Sequence, residues 1–396
     1  MRILYLAPRY HTNQTAIMRG WKNHGDEIKF ISYYAAPIED YSDLKPVILG
    51  FAPWYTAFYH FYVDILCRKK RTALDNKMKY GYPPSGRLRE EIINFNPDFV
   101  ILRERTVYSM KAYDICRKHE IPCILYNQNP LHEECSQDDL RHRYVYSHSP
   151  KIRMTPVLGS ILQNTESTFC EDDSKKDFDI RKDGDSYYVP FAVEPQLAPD
   201  KRSYFDGDRI NILCIGKYEP RKHHMMLMDA VSRIVDETGI KMHLTVIGEA
   251  TGRFQKEFYK TVEEYYHQKH YEELVTLRTN VGREEMSQIY SKTDVFVIPS
   301  TLEMASVSQL EAMSYSIPVI CSDTNGTSCY VEDGRDGYIF KDCDARDLYE
   351  KLKKMTDSRE NIENMGGHAY EDVMDKYTFS NYYDNIMKII TDNFSS

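Results

Sequence analysis

The chain has 396 residues, which is enough for two domains that each bury a hydrophobic core. Its formal net charge of -9 at pH 7 argues against binding to nucleic acid, and we expect no such partner. Nine cysteines without a C-x-x-C pair form neither a disulfide framework nor a zinc knuckle, and they indicate a reducing, cytoplasmic setting. No stretch contains the roughly 18 consecutive apolar residues of a membrane span.

The first half of the chain alternates strands and helices in the way typical of a doubly wound α/β domain. Short apolar, β-branched runs predict buried strands over residues 2–7, 28–32, 98–102 and 121–126. A helix is expected over about 15–24 and another over about 86–94, the second leading through an Asn-Pro-Asp step into a strand.

Residues 51–66 are crowded with aromatic side chains, and four basic residues follow at 68–71. An aromatic helix face beside a basic cluster is what interfacial helices use to lie on anionic lipid headgroups. The alternative is a core helix that ends in a solvated basic turn. Residues 51–71 are therefore a candidate for peripheral contact with a membrane.

The second half begins, after a proline-rich linker, with a strand expected over 210–215. The loop from Gly216 to Lys222 is rich in basic residues and precedes a helix that should run through about Val235. It lacks the G-K-[ST] of a Walker loop. Further strands are expected over residues 243–247, 275–278, 295–298 and 318–321.

Between the last two of these strands lies a helix whose start is a candidate anion site. Ser306 and Gln309 fit a capping box, which predicts a helix from about Val307 to about Tyr315. The free amides and the positive end of the helix dipole then face the carboxyl end of the preceding strand. The turn at residues 306–308 is therefore a candidate phosphate cradle.

Two carboxylates flank that turn. Glu303 lies in the loop before it, and Glu311 falls about one turn inside the helix. Taken alone, an E-x7-E spacing favours a bland alternative, a capping turn plus a solvated helical glutamate.

Residues 299–320, PSTLEMASVSQLEAMSYSIPVI, resemble the signature of retaining GT-B glycosyltransferases of the family 4 type, the glycosyl transferases group 1. In that family a Pro-Ser pair, an E-x7-E pair and an E-A-M-x4-P-V tail occur together. The resemblance implies that Glu303 contacts hydroxyls of the donor sugar and that Glu311 binds the ribose. It also implies that the Ser306 and Val307 amides hold the diphosphate.

The loop after residue 215 resembles a second element of the family, G-R/K-x4-K, whose two basic side chains hold the donor diphosphate. Gly216, Lys217 and Lys222 occupy the matching places, and Arg221 is an alternative to Lys222. Such cations stabilise the negative charge that develops on a leaving nucleoside diphosphate. Lys222 is therefore a catalytic as well as a binding candidate.

The resemblance also implies a base site near Asn280 and Val281. Two departures from the family concern the rest of the site. Met-Ala-Ser at 304–306 replaces a G-F-G type turn, which bears on the identity of the donor sugar. Gln128, or a neighbour, stands at a strand end where many members carry a histidine. As a catalytic candidate it can hydrogen-bond, but it does not titrate near neutral pH.

We expect no metal site. His132 and Glu133 are of ligand-forming types, but no H-E-x-x-H or comparable spacing follows them. Members of the family are thought to transfer the sugar on its front face, with the leaving phosphate helping to deprotonate the acceptor.

The expected fold class is α/β, a GT-B arrangement of two Rossmann-like doubly wound domains facing across a cleft. We expect an acceptor-side domain over 1–192, a nucleotide-sugar donor domain over 208–375, and a helix over 376–396 that crosses back to the first domain. The implied activity is metal-independent, retaining transfer of a hexosyl or hexosaminyl unit. It would run from a UDP- or GDP-linked sugar, with no other cofactor, to a glycan or lipid-linked glycan in polysaccharide or glycoconjugate synthesis.

Two alternatives stay open at this point. The loop after the first strand lacks glycine and Gln128 replaces a histidine, which would suit a catalytically silent nucleotide-binding partner of a transferase. A sugar nucleotide epimerase on the same fold is the other alternative. In each case we expect a cytoplasmic protein, with peripheral contact at the inner face of the membrane as the further option.

Overall fold

The computed structural model of the protein describes residues 1–11, 14–35, 39, 41–61, 81–103, 106–127, 161–163, 186–205, 207–303 and 305–394. The chain divides into two compact units. The first takes its described residues from 1–163, 186–190 and 382–394, and the second takes them from 191–381.

The first unit is built on a parallel sheet in the order β3-β2-β1-β4-β5-β6-β7. Its described strands are β1 (Arg2–Ala7), β2 (Glu27–Ser32), β3 (Val47–Ile48), β4 (Phe99–Arg103), β5 (Cys123–Asn127), β6 (Ile161–Gln163) and β7 (Ser186–Tyr188). Its helices in the described ranges before residue 190 are α1 (Thr15–His24), α2 (Pro53–His60), α3 (Ser85–Phe95) and α4 (Val107–Lys118).

The second unit is built on a parallel sheet in the order β10-β9-β8-β11-β12-β13. Its strands are β8 (Ile210–Ile215), β9 (Met242–Gly248), β10 (Val275–Thr279), β11 (Val295–Ile298), β12 (Val319–Ser322) and β13 (Gly337–Phe340). The helices that follow residue 222 are α5 (His224–Thr238), α6 (Arg253–Gln268), α7 (Arg283–Ser291), α8 (Val307–Ser314), α9 (Ala345–Thr356), α10 (Arg359–Lys376) and α11 (Phe379–Phe394).

The last helix, α11, enters the first unit at Tyr382. The Tyr382 hydroxyl lies 3.0 Å from that of Tyr5 on β1, and the Trp21 indole N–H donates to Tyr5 at 3.0 Å. Tyr383 packs on the edge of Trp21, with ring centroids 5.4 Å apart. An aromatic contact with β1 and α1 therefore anchors the C-terminal helix.

The predicted α/β class and the doubly wound sheets are confirmed, because both sheets are wholly parallel and reverse their strand order once. Two helices were missed. Helix α6 carries mostly charged and aromatic residues. Val262 alone of its described residues is fully buried, and half-buried aromatic rings form the rest of the face that packs on the core. Helix α4 was likewise not predicted.

The sequence pattern predicts a helix from Gly366 to Tyr377, and its start is wrong, because α10 begins at Arg359. A Gly-Gly pair lies within this helix. Because glycine usually marks the end of a helix, the pair obscured the helical pattern that precedes it. Here Gly366 permits close packing, because a Cβ at that position would lie 2.3 Å from the backbone oxygen of Ser316.

None of the helices in the described ranges is long and apolar enough to pass through a bilayer.

Candidate functional site

The order of the second sheet reverses between β8 and β11, which are hydrogen-bonded neighbours. In doubly wound sheets, ligands bind beyond the carboxyl ends of the strands at such a switch point. The loops that follow these two strands are residues 216–223 and 299–306. They meet where the Thr301 amide donates to the Arg221 carbonyl at 2.8 Å.

The meeting point holds a cluster of three charged side chains. The Lys222 ammonium donates to Glu303 Oε2, and Arg221 Nη1 donates to the same oxygen at 2.8 Å. Arg221 also contacts Glu219 at 3.2 Å. Lys222 and Glu303 are nearly buried, whereas the Arg221 side chain is 40% exposed. One carboxylate is therefore shared between a buried and an accessible cation.

The electrostatics of the cluster favour an ionised Glu303. Burial alone would raise the pKa of that carboxyl, but the charges and hydrogen bonds of Lys222 and Arg221 outweigh burial and hold the pKa below its ordinary value. Lys222 is affected differently. Burial lowers the pKa of its ammonium, and the attraction of Glu303 only partly opposes that shift. The positive charge of Arg221 lowers the pKa further.

Gly216, at the end of β8, leaves space for Lys222. A Cβ at Gly216 would lie 3.1 Å from Lys222 Cδ, so a side chain there would press on the lysine stem. Tyr218 fixes the rest of this loop, since it is fully buried and its hydroxyl donates to the Arg278 carbonyl at 2.9 Å. Its ring lies against Gly248, where a Cβ would come within 2.6 Å of it. These contacts explain two glycines on structural grounds.

Lys217 lies apart from the Lys222 cluster in its contacts. Its ammonium is 3.4 Å from Glu249 Oε2, and 42% of its side chain is exposed. The structure thus gives the two predicted phosphate-binding lysines different carboxylate partners.

Helix α8 begins at Val307 with Ser306 as its N-cap residue, as predicted, but the predicted capping box is wrong. Ser306 makes no side-chain cap bond to the helix, and its hydroxyl lies 3.0 Å from that of Ser308. Gln309 instead turns inward, donates to the Thr327 carbonyl at 2.7 Å and accepts from Asn325 at 3.2 Å. Those polar groups are buried and satisfy the amide more fully than one capping bond would.

The first turn of α8 offers backbone donors to a ligand, because the first amides of a helix have no intrahelical acceptor. Ser306 and Val307 are both nearly buried. The loop before them is tied down by the Gly326 amide, which donates to the Glu303 carbonyl at 2.7 Å.

Glu311 lies one turn into α8 and accepts a hydrogen bond from the Tyr290 hydroxyl at 2.9 Å. Burial raises the pKa of the Glu311 carboxyl, while that hydrogen bond and the charge of Arg283 oppose the rise. Tyr290 stacks on Tyr315 with ring centroids 5.2 Å apart. The Glu311 carboxylate is therefore fixed by a hydrogen bond and is not the solvated helical glutamate of the alternative interpretation.

Asn280 has a structural duty at the turn after β10. Its backbone is in the left-handed region, with φ of 54°, which asparagine tolerates better than most residues. Its side-chain oxygen accepts from the Ala250 backbone amide at 3.1 Å, and its backbone amide donates to the Gly248 carbonyl at 3.1 Å. Val281, the adjacent base-site candidate, is half-buried.

The candidates Gln128, His132 and Glu133 lie outside the described residues, as do Met304 and the basic cluster at 68–71. Sequence reasoning missed Tyr290 and Glu249, the partners of Glu311 and Lys217. Neither stands in a motif, so only the fold brings them to the site.

Comparison with known proteins finds a family match within the second unit. Residues 199–372 match the family Glycosyl transferases group 1. Sulfoquinovosyl transferase SQD2 of Arabidopsis thaliana is 35% identical over 97 residues, which are 24% of this chain and 19% of that protein. An Escherichia coli protein, UDP-Gal:alpha-D-GlcNAc-diphosphoundecaprenol alpha-1,3-galactosyltransferase, is 34% identical over 77 residues, 19% of this chain and 20% of that one.

A solved structure extends the likeness to both units. HepE of Anabaena in complex with UDP aligns over 99% of this chain and 100% of that one, with a TM-score of 0.69 and 11% identity. The same protein has been solved in complex with UDP-glucose.

The match over residues 199–372 supports a glycosyl transferases group 1 domain there, and the two Rossmann-like units share the GT-B fold of HepE. The alignments span about a fifth of the length of the first two relatives, at 19% and 20%.

Proposed function

We propose that the protein is a retaining glycosyltransferase that moves a hexosyl or hexosaminyl unit from a UDP- or GDP-linked sugar to a glycan or lipid-linked glycan. The proposed role is in the synthesis of cell-surface polysaccharide or a glycoconjugate, on the cytoplasmic side of the membrane. The existence of HepE complexes with UDP and UDP-glucose supports a nucleotide-sugar donor.

The observation that carries this proposal is the Arg221–Lys222–Glu303 cluster at the switch point of the matched domain. Breaking the bond between a sugar and a nucleoside diphosphate puts negative charge on the leaving phosphate. Cations held in place beforehand stabilise that charge without reorganising. Lys222 is held in this way by Glu303, and Arg221 remains accessible beside it.

Each other candidate has a place in the proposed donor complex. Lys217, half-exposed, exchanges Glu249 for a phosphate oxygen. The Ser306 and Val307 amides at the start of α8 accept the diphosphate, as helix N-termini do. Glu311 accepts hydrogen bonds from the ribose hydroxyls while Tyr290 holds its other side.

Glu303 has two duties in this scheme. In the free protein it neutralises Lys222 and Arg221. When the diphosphate takes over those cations, the carboxylate is released to hydrogen-bond the sugar hydroxyls. The base is received near Asn280 and Val281, whose turn is fixed by Ala250 and Gly248.

The transfer needs no metal in this proposal, because the lysines and helix amides supply the positive potential. Gln128 would orient the sugar or acceptor by hydrogen bonding, and the leaving phosphate would take the acceptor proton. The new glycosidic bond then forms on the face from which the diphosphate departs.

The test is to incubate the purified protein with UDP- and GDP-sugars, in the presence and absence of chelator, and to follow release of the nucleoside diphosphate and formation of a glycoside. Proton NMR of the product gives its anomeric configuration. Transfer with retention that survives chelation supports the proposal. Binding of the donor without turnover, across acceptor extracts that serve a known transferase, would favour the silent partner subunit.

A further inference from the structure

A second group of chemically active side chains lies beside the charged cluster and shares none of its members. His223 Nε2, a carboxylate oxygen of Asp342 and Cys343 Sγ all lie within 4.8 Å of one another. The imidazole and thiol are 3.7 Å apart. We propose that these three residues form a binding site for Zn²⁺ or a similar thiol-binding divalent cation.

The spacing of the ligand atoms is close to what such an ion requires. In tetrahedral zinc sites the metal lies about 2.0 to 2.3 Å from nitrogen, oxygen and sulfur ligands, so neighbouring ligand atoms are about 3.3 to 3.6 Å apart. The His223–Cys343 separation of 3.7 Å is just above that range, and since all three ligand atoms lie within 4.8 Å of one another, side-chain rotation suffices to close the site. Imidazole, carboxylate and thiolate form a donor set that suits zinc.

The ligands come from fixed backbone. His223 is the N-cap residue of α5, directly after a 3-10 turn at Pro220–Lys222. The Asp342 amide donates to Asp323 at 2.9 Å, and Asp344, two residues later, caps α9 through its side chain. His223 and Asp342 are half-buried, whereas Cys343 is exposed, which leaves solvent access for the ion and for a water as fourth ligand.

A hydroxyl now occupies the centre of the group. Thr301 Oγ lies 2.6 Å from His223 Nε2 and 3.3 Å from Cys343 Sγ, and it donates to Asp342 at 2.7 Å. The three groups thus already converge on one small polar atom. Metal binding replaces these hydrogen bonds, the Cys343 thiol loses its proton to solvent, and the neutral imidazole presents its Nε2 lone pair.

The site is distinct from the proposed transfer chemistry. It would tie together the loops that follow β8 and β13, with no ligand drawn from Lys222, Glu303 or Glu311. Its existence therefore does not rest on the proposed function.

Titration of the purified full chain with Co²⁺, followed by displacement with Zn²⁺, tests the site. We expect one equivalent to bind with a thiolate-to-cobalt charge-transfer band in the near ultraviolet. Cys343→Ser should abolish that band, and His223→Gln should weaken binding by at least about tenfold. Cys329→Ser, which changes a partly buried thiol elsewhere in the unit, should leave the band unchanged.

Glu311→Ala should bind cobalt like the parent even if it no longer binds nucleotide, which separates failure of this proposal from failure of the proposed function. Each variant is first checked for a cooperative melting transition. Absence of stoichiometric binding by the parent chain would overturn the proposal, as would a charge-transfer band that survives in Cys343→Ser.

Discussion

The Lys222 ammonium and the Glu303 carboxylate form an ion pair across 81 residues of sequence, with both side chains nearly buried. A buried pair of this kind is costly to break, because the remaining charge loses its partner without regaining water. Lys222 therefore has two roles that can be measured separately, one in stability and one in the proposed binding of the donor.

Lys222→Met should destabilise the protein by about 3 kcal/mol, because Glu303 keeps only Arg221. The double variant Lys222→Met, Glu303→Gln should recover most of that loss, since no buried charge is left unpaired. Both variants should lose affinity for a nucleoside diphosphate. Urea denaturation measures the stability and calorimetry the affinity.

Lys241→Met is the matched control for this substitution. Lys241 pairs with Asp208 at the surface, where both side chains are about 70% exposed, at 68% and 71%. Such pairs contribute about 0 to 1 kcal/mol. If Lys222→Met is no more destabilising than Lys241→Met, the buried pair does not have the strength assigned to it.

Glu311 should make donor binding pH-dependent. Burial raises the pKa of its carboxyl above the ordinary 4.5, so the charged form is lost at a higher pH than in an exposed glutamate. The parent should bind UDP about tenfold more tightly than Glu311→Gln above neutral pH. This ratio should shrink toward one on acidification, beginning above pH 4.5, because the protonated acid resembles the amide.

The ratio is the measured quantity because the phosphate of UDP titrates as well, and that effect is common to both proteins. Calorimetric titrations from pH 5 to 8 provide it. A ratio of one throughout this range would mean that the Glu311 carboxylate does not contact the nucleotide, and a constant ratio of about ten would mean that its pKa is not raised.

The raised pKa of Asp336 should make the free energy of unfolding fall as the pH rises. Burial, together with the nearby Asp372 carboxylate, raises its pKa from 3.8 to about 7. The unfolded chain thus releases this proton near pH 3.8, whereas the folded protein holds it until about pH 7. The stabilisation is complete below the lower value and is lost between the two, with a limiting slope of about 1.4 kcal/mol per pH unit.

Asp336→Asn should remove that slope, since an amide keeps the acceptor for the Glu332 amide at 2.9 Å and does not ionise. Near pH 7 the variant should equal or exceed the parent by on the order of 1 kcal/mol. Asp372 does not interfere in this window, because Arg335 and Lys376 hold its pKa below 3.8 despite its burial. Parallel pH dependences of parent and variant would show that Asp336 is ionised throughout.

Helix α2 should contribute to membrane contact. Trp54, Phe58 and Phe61 are each more than half exposed, at 59%, 58% and 52%, and their i, i+4, i+7 spacing sets them on one face. Replacing Trp54 and Phe58 with Ala should reduce sedimentation with anionic vesicles by several-fold without altering the melting temperature. Phe254→Ala, an exposed aromatic of the other unit, is the control. Equal sedimentation of all three proteins would rule out this face.

The strands were the part of the fold most accurately predicted. The bounds of β1, β8 and β11 agree with the sequence prediction residue for residue, because a buried parallel strand needs a continuous apolar run that loops do not mimic. The helices that escaped prediction, α4 and α6, do have core-facing stripes. The stripe of α4 is made of Tyr108, Ala112 and Cys116 and that of α6 largely of aromatic residues around Val262, so neither stands out as a run of aliphatic residues at helical spacing.

The site was predictable where it is local in sequence. The Ser306 cap position and the place of Glu311 in α8 follow from one short segment. The inward turn of Gln309 does not, because Asn325 and Thr327 compete successfully for its amide from another loop. The sharing of Glu303 by Arg221 and Lys222 also depends on the switch point, which no spacing rule describes.

The most direct test of the central claim is calorimetric titration of the purified chain with UDP and GDP, for the parent, Lys222→Ala and Glu311→Ala. We predict that one of the two nucleotides binds the parent at one site per chain and that both variants weaken it by about tenfold or more. Absence of binding to the parent, or equal binding by the parent and both variants, would contradict a donor site at the edge of the second sheet.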